Sequence, residues 1–416
     1  MDNAVGLFIV ISLFVLWNLD FIATLLNLKA LDPELPEEFA DVFDAEKYAK
    51  SQEYTRVTEK FGIFEGIFSL MLTLGFWLSG GFGWLDELVR GFGHGEIITG
   101  LIFMGLLFTA QTVLTVPFQL YDTFVIEEKF GFNKTTMKTF IMDQIKGLIL
   151  LALIGGPILA LILWIFDSVE NAWLWAWVAF TVIQLLLTYI APSVFLPLFN
   201  KFEPMEDGEL KTAINDMAEK CDFPLTELYI MDGSKRSTKS NAFFTGFGKN
   251  KKIALFDTLI ESHTTEGLVG ILAHEIGHFK CKHIVKRMVI GILQSAVVFY
   301  LLGLVTDKNG AFARDLFDAF GVTEISVYAG LIFFSLLFSP VKKILSIFSN
   351  MSSRKHEFEA DAYATNAQGT PDHLIDSLKK LSADNLVNLT PHPLPVFLDY
   401  SHPPMLERLE ALRKLK

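Results

Sequence analysis

Two histidines and a glutamate lie close together in segment 271–279. His274 and His278 stand four positions apart, and Glu275 directly follows the first of them. On an α-helix this spacing points both imidazoles from nearly the same face, where they can bind one Zn²⁺. Glu275 lies about 100° further round the helix, so it can contact a water on the metal and accept its proton. The alternative is a helix with two surface histidines and an incidental glutamate.

The residues around this motif predict the helix that such chemistry requires. Thr264 or Thr265 can cap its N-terminus, and the carboxylate of Glu266 suits the positive end of the helix dipole. The apolar side chains recur at helical spacing and form a stripe for packing, made of Leu268, Ile271, Leu272 and Phe279.

A catalytic zinc site has three protein ligands and one open position, so a third ligand must come from elsewhere in the chain. Segment 350–364 reads as a helix with Glu357 and Asp361 one turn apart on one side. Glu357 is one of several carboxylates that could complete the site, and Asp361 could accept the N–H of a ligand imidazole. The small Ala360 and Ala364 on the same side would allow close approach to another helix.

Three neighbouring groups are expected to lie outside the site. Glu359 is about 200° from Glu357 on a helix and should point away. His356 should be a solvated bystander. His283 follows His278 by five positions, which is off the metal-binding face of a continuous helix.

The composition is that of a membrane protein. Hydrophobic residues make up 51% of the 416 positions and charged residues only 20%. Long uncharged runs predict about seven spans, at 5–28, 63–78, 97–116, 147–166, 172–190, 288–305 and 325–338. The first run lacks a basic start and a small-residue cleavage site, so it should remain as a span. We therefore expect a mainly α, polytopic α-helical membrane protein with a small α+β portion outside the membrane.

Prolines mark several of the predicted ends. Pro117 should close the third span, and Pro192 and Pro197 should break the fifth helix as it leaves the membrane. The seventh run is expected to extend past Pro340.

Charge limits the partners and predicts an orientation. The net charge of −12 argues against nucleic acid. Loops one and three carry several lysines each, whereas Arg90 is the only basic residue of loop two. The positive-inside tendency therefore places loops one, three and five in the cytosol, together with the metal motif and the C-terminus, and leaves the N-terminus outside. Cys221 and Cys281 offer no disulfide framework and little capacity for metal.

Four segments are expected, namely spans 1–5 at 1–198, a folded loop at 199–283, spans 6–7 at 284–349 and a helical region at 350–416. Within the loop, 206–221 has helical periodicity and 228–231 is a short strand candidate. Runs 241–247 and 252–256, joined by Gly248-Lys249-Asn250, predict a β-hairpin beside the metal helix. An exposed edge strand there can hold an extended peptide across a metal, although the hairpin could also be plain scaffold.

The motifs together resemble a known family. HEIGH at 274–278 and SRKHEFEAD at 353–361 resemble the type I CAAX prenyl protease family of membrane zinc metalloproteases, as do segments 241–247, 253–259 and 401–409. The likeness runs over nearly the whole chain. The bacterial HtpX-type quality-control proteases share the metal motifs, but they are similar over less of the chain.

The resemblance assigns roles to individual residues. It implies His274, His278 and Glu357 as zinc ligands, Glu275 as general base and His402 as the donor that stabilises the tetrahedral oxyanion. It also implies Asp361 as support for a ligand, Arg354 as a structural partner near the site, and Asn241 and Ala242 on the substrate-binding edge strand. From the residues alone, His402 could equally cap a helix that starts near Pro403. A large water-filled chamber within the membrane is a further implication.

Three functions follow as alternatives. The resemblance implies a zinc metalloendopeptidase that cleaves near the C-terminus of CAAX proteins or peptides, with or without a prenyl group, in contact with membrane lipid. A quality-control protease would use the same chemistry on unfolded membrane proteins. A transporter or lipid-handling protein would carry structural zinc, whose fourth position would be closed by another His or Cys. The expected location is a bacterial inner membrane or the endoplasmic reticulum.

Overall fold

Long apolar helices make up most of the computed structural model, which describes residues 3–245 and 251–415. Six helical stretches of these residues are long and apolar enough to cross a membrane, namely Ala4–Lys29, Ala45–Leu78, Glu96–Phe130, Met137–Ser168, Ala172–Phe199 and His283–Val305. A bent pair, Val327–Leu337 and Ser339–Gln368, gives a seventh if it counts as one span. The prediction of a polytopic α-helical membrane protein is confirmed.

The described residues up to Phe199 contain nine α-helices. They are α1 (Ala4–Lys29), α2 (Ala45–Leu78), α3 (Gly81–Arg90), α4 (Glu96–Tyr121), α5 (Glu128–Phe130), α6 (Met137–Leu150), α7 (Gly156–Ser168), α8 (Ala172–Val194) and α9 (Leu196–Phe199). Two π-helical segments, Asp122–Glu127 and Leu151–Gly155, join α4 to α5 and α6 to α7.

The remaining described residues form a small sheet and further helices. The strands are β1 (Phe202–Pro204), β2 (Leu225–Met231), β3 (Ala242–Thr245) and β4 (Lys251–Phe256). The helices are α10 (Glu209–Lys220), α11 (Asp257–Ser262), α12 (Thr265–Lys280), α13 (His283–Val305), α14 (Ala311–Ala319), α15 (Val327–Leu337), α16 (Ser339–Gln368), α17 (Asp372–Asp384), α18 (Pro393–Asp399) and α19 (Met405–Arg413).

The proline prediction was wrong at Pro117, which lies inside α4. Pro192 also lies inside a helix, but α8 ends soon after it at Val194 and Pro197 lies in the first turn of α9, so the chain breaks between these two prolines. An internal proline removes one backbone hydrogen bond and bends a helix, but it need not end it. The chain instead continues past Pro117 through the π-helical turn at Asp122–Glu127, a kind of local irregularity that long helices tolerate.

The seventh predicted span bends where the sequence suggested continuity. α15 and α16 meet at 60°, with Pro340 in the first turn of α16. Proline is well tolerated there because the first turn needs no N–H donor from it. α16 then continues for 30 residues to Gln368 and ends at Gly369, whose φ of 81° closes the helix in the left-handed region. One helix therefore leads from the bend to Glu357 and Asp361.

The sheet has strand order β1-β2-β4-β3, which makes β3 an edge strand. β3 pairs antiparallel with β4, with Ala242 opposite Leu255 and Thr245 opposite Lys252. The paired strands agree with the predicted hairpin, while its predicted turn at Gly248-Lys249-Asn250 and the end of the first run lie outside the described residues. β4 also pairs in parallel with β2.

Two large hydrophobic cores, with a small cluster of Ile126, Phe130, Phe132 and Leu386, organise the described residues. One fills the space between the spanning helices. The other lies between the sheet and helices α10, α12, α17 and α19, and it includes Phe39, Phe43 and Tyr48 from the first loop. The predicted segments 199–283 and 350–416 thus share a single core. We call this part the sheet unit.

A cavity of about 730 Å³ lies between α2, α4 and α15. Polar side chains face it alongside the apolar ones, among them Glu65, Ser69, Gln111 and Ser335. The large chamber implied by the resemblance stays a prediction.

Candidate metal centre

The centre forms where α12 and α16 pack directly against each other. Thr264 caps α12 by accepting a hydrogen bond from the N–H of Gly267, as one of the two expected caps. A Cβ on Gly277 would lie 3.0 Å from both the Cα and the carbonyl oxygen of Ala360. Ala360 and Ala364 are fully buried. These small residues allow the backbones to approach, which brings Glu357 to the histidine face of α12.

Three buried donors converge between the two helices. The Nε2 atoms of His274 and His278 are 3.2 Å apart. Glu357 places Oε2 3.5 Å from Nε2 of His274 and Oε1 3.3 Å from Nε2 of His278. A tetrahedral ion with bonds of about 2.0–2.1 Å separates its ligand atoms by about 3.3–3.4 Å. The spacing and chemistry of this donor set therefore fit a zinc-sized ion.

Asp361 and Arg408 support the imidazole of His274 on the side opposite its metal-facing Nε2. Oδ1 of Asp361 lies 2.8 Å from Nδ1 of His274, where a carboxylate is expected to accept the second N–H of a metal-binding imidazole. Arg408 donates to both oxygens of Asp361, at 2.6 and 2.9 Å, and its Nη1 lies 3.5 Å from Oε2 of Glu357. Burial alone would lower the pKa of Arg408, but the adjacent Asp361 carboxylate holds that pKa above its ordinary value.

Arg408 was missed in the sequence. It lies in the family-like segment 401–409, yet nothing in its spacing pairs it with Asp361, 47 positions away. The available signal in the sequence was that Arg408 lies four positions before Leu412, on the same face of α19.

Glu275 lies partly buried on α12, next to the converging donors. Burial raises the pKa of Glu275 above its ordinary value, while the nearby His274 and His278 act in the opposite direction. A carboxylate with a raised pKa is a stronger proton acceptor than a solvated one.

His402 reaches the centre from the segment before α19. Its Nδ1 lies 2.9 Å from Oε2 of Glu357, and 67% of its side chain is exposed. The alternative that it caps the following helix is not seen, since the N-cap of α19 is Pro404 and no side chain caps it.

One prediction about the neighbouring groups was wrong, namely that His356 is solvated, while His283 and Glu359 lie outside the donor group of His274, His278 and Glu357. His283 is fully buried, with Nδ1 2.9 Å from Nδ1 of His278 and Nε2 3.0 Å from Oε2 of Glu359. His356 is 7% exposed and stacks on His283 with ring centroids 4.0 Å apart. His283 comes this close to His278 because the helix breaks between them. Lys282 has a φ of 58° and separates α12 from α13, so the five-residue spacing is not read along one continuous helix.

The remaining predicted residues lie around the centre. Nη1 of Arg354 donates to the carbonyl oxygens of Val396, at 2.8 Å, and Tyr400. It thereby ties the segment leading to His402 onto α16. Asn241 directly precedes the edge strand β3, and its carbonyl accepts the N–H of Phe256. Ala242 is the first residue of β3. Their contact with substrate stays a prediction.

The helix contact can be tested at Gly277. Gly277→Leu should cost about 1–3 kcal/mol of stability through overpacking and weaken metal binding, because the atoms it would meet belong to the backbone of Ala360. Gly291→Leu is the matched control, since no atom lies within 4 Å of a Cβ at that position. Thermal melting in detergent and metal affinity by chelator competition measure both effects. Equal values for the two variants would contradict the close contact.

Comparison with known proteins decides the family. The family model for the CAAX prenyl protease N-terminal region, with five membrane helices, matches residues 24–201. The model for peptidase family M48 matches residues 204–416. CAAX prenyl protease 1 of Saccharomyces cerevisiae is 37% identical over 410 residues, which cover 92% of this chain and 89% of the yeast protein. The chain belongs to the type I CAAX prenyl protease family.

Further members agree with this assignment. The CAAX prenyl protease 1 homolog of Mus musculus is 36% identical and covers 92% of this chain and 89% of its own. The crystal structure of S. mikatae Ste24p superposes with a TM-score of 0.90 at 36% identity, covering 98% of this chain and 99% of that chain. As a type I CAAX prenyl protease of peptidase family M48, the chain is a multi-pass membrane metalloprotease with a peptide or protein substrate.

Proposed function

We propose that this chain is a zinc metalloendopeptidase that cleaves peptide bonds near the C-terminus of prenylated CAAX-type proteins. His274, His278 and Glu357 would hold the zinc. The observation that carries the proposal is the convergence of these three buried donors within 3.2–3.5 Å of one another, beside a partly buried carboxylate at Glu275. The printed names of the yeast and mouse relatives support the substrate class.

Each residue of the centre has its own role in the proposed reaction. Zinc, when bound, supplies a Lewis acid that polarises a peptide carbonyl and lowers the pKa of a water. Glu275 accepts the proton of the attacking water and delivers it to the leaving amine. His402 donates a hydrogen bond to the developing oxyanion. Asp361 keeps the proton of His274 on Nδ1, so that Nε2 remains free as a donor atom. Asn241 and Ala242 offer the edge of the sheet to an extended substrate backbone.

The proposed location is the endoplasmic reticulum membrane, with the metal centre on the cytosolic side and the N-terminus outside. A bacterial inner membrane is the alternative. The distribution of basic residues between the loops supports this orientation, and the eukaryotic relatives support the compartment.

Neither competing function is favoured. The match over both parts of the chain, including the five-helix N-terminal region, does not favour an HtpX-like quality-control protease. A structural zinc site would be closed by a fourth His or Cys. Among the described residues the donor group at the centre is His274, His278 and Glu357, without a cysteine or a third histidine as ligand.

A substrate panel tests the proposal. Purified protein is incubated with a farnesylated CAAX peptide, the same peptide without the lipid, and a misfolded membrane protein, each in parallel with the Glu275→Gln variant. The proposal predicts fastest cleavage of the farnesylated peptide and a rate about 10²–10⁴ lower for the variant. Preferred cleavage of the misfolded protein would instead support a quality-control protease. If the zinc-loaded protein cleaved none of the three substrates, the proposed peptidase activity would be contradicted.

His402 provides a separate test of the oxyanion role. His402→Ala should lower kcat by roughly 10²–10³, with zinc still bound because the three donors His274, His278 and Glu357 remain in place. His373→Ala, an exposed histidine on α17, is the control. An unchanged kcat in His402→Ala would exclude it from the reaction.

A further inference from the structure

His283 is the most completely buried polar group near the centre that the proposed reaction does not use. Its side chain has no exposed surface. Its Nδ1 lies 2.9 Å from Nδ1 of His278, and its Nε2 lies 3.0 Å from Oε2 of Glu359. The ring of His356 stacks on it at an interplanar angle of 13°. Both of its nitrogens are therefore engaged and its ring plane is fixed.

The direction of these hydrogen bonds follows from which nitrogen of His278 would bind the metal. Nε2 of His278 faces His274 and Glu357, so in the metal-binding form its lone pair is used there and its proton sits on Nδ1. That N–H must donate to Nδ1 of His283, which therefore accepts. The single proton of a neutral His283 then lies on Nε2 and donates to the carboxylate of Glu359.

We propose that His283, held by Glu359, is a positioning residue that fixes the ring orientation and tautomer of His278 for metal binding. The proposal rests on the proposed function, because it requires a metal on His278. It gives the second imidazole the kind of support that Asp361 gives the first at 2.8 Å. Such outer partners typically contribute 10–100-fold to metal affinity.

The same residues suggest a competing use. Cys281, His283 and Glu359 place one ligand atom each within 4.8 Å of one another and could hold an ion. An ion on Nε2 of His283 would leave the proton of that ring on Nδ1. The Nδ1–H of His283 would then face the Nδ1–H of His278 at 2.9 Å, and two donors cannot form a hydrogen bond. Occupation of the catalytic centre therefore opposes a second ion, and we expect one metal per chain.

Two substitutions at His283 test whether it acts by accepting a hydrogen bond from His278 or only by packing. His283→Phe keeps a ring to stack on His356 but cannot accept a hydrogen bond. In His283→Asn the amide oxygen stands near the position of Nδ1 and can accept the N–H of His278. Zinc affinity by chelator competition should fall about 10–100-fold in the first and recover most of that loss in the second. The visible spectrum of the Co²⁺-substituted protein should change in His283→Phe and return towards that of the wild type in His283→Asn.

Variants of Cys281 and Glu359 serve as controls for those at His283. Cys281→Ser should leave affinity and stoichiometry unchanged, and Glu359→Ala should lower affinity less than His283→Phe. Wild-type affinity and spectrum in His283→Phe would overturn the proposal. So would two ions per chain, with one lost in Cys281→Ser. If His283→Phe does not fold, wild-type affinity in Glu359→Ala together with reduced affinity in His283→Asn would overturn it. Absence of metal from the wild type would instead defeat the proposed function itself.

Discussion

Glu275→Gln should lower the rate of peptide cleavage by about 10²–10⁴ while zinc affinity stays at the wild-type level. The amide keeps the size of the side chain but cannot accept the proton of water. Because Glu275 lies beside the converging donors rather than among them, its charge is not needed to hold the ion.

The measurement pairs single-turnover cleavage of a farnesylated peptide with metal content of the same sample. Glu266→Gln, an exposed position in the first turn of the same helix, serves as control and should cleave normally. Cleavage by Glu275→Gln at the wild-type rate would rule out its assignment as base. Loss of metal together with activity would make Glu275 a ligand instead.

Arg408→Met should destabilise the folded protein by about 3–5 kcal/mol, because it leaves the buried carboxylate of Asp361 without its cationic partner. Asp361 is 1% exposed and Arg408 5% exposed, so water cannot replace the lost contacts. The loss should appear as a lower denaturant midpoint in detergent. Zinc affinity should fall as well, since Asp361 also holds His274.

A double-mutant cycle isolates the pair. Asp361→Asn combined with Arg408→Met should cost less than the sum of the single variants, because no unpaired charge remains buried. Arg413→Met breaks an ion pair with Glu38 whose arginine is 53% exposed, and it should change stability by at most about 1 kcal/mol. Simple additivity in the cycle would show that Arg408 and Asp361 do not act together.

The part of the centre that the residues alone could predict is the part contained in one helix. His274, Glu275 and His278 lie on consecutive turns of α12, so their relation follows from helix geometry alone. Glu357 lies on another helix, and its selection among the carboxylates depended on the family resemblance. The contact that brings it there uses Gly277 against Ala360, a packing detail that spacing does not encode.

Local sequence does not show where a helix breaks or continues, and this limits what the residues alone can predict. His283 contacts His278 because the helix breaks at Lys282, which the five-residue spacing does not show. Pro117 predicts an end, although α4 continues past it to Tyr121. Long-range pairing was equally hidden, since Arg408 meets Asp361 only after α19 has packed into the core of the sheet unit.

We propose that one metal ion lies between His274, His278 and Glu357. Diffraction from crystals of the wild-type protein, collected on both sides of the zinc absorption edge, tests it most directly. We predict a single anomalous peak about 2.0–2.1 Å from both Nε2 atoms and from a carboxylate oxygen of Glu357, with no fourth protein ligand. The absence of a peak there, or a peak enclosed by four side chains, would contradict the account.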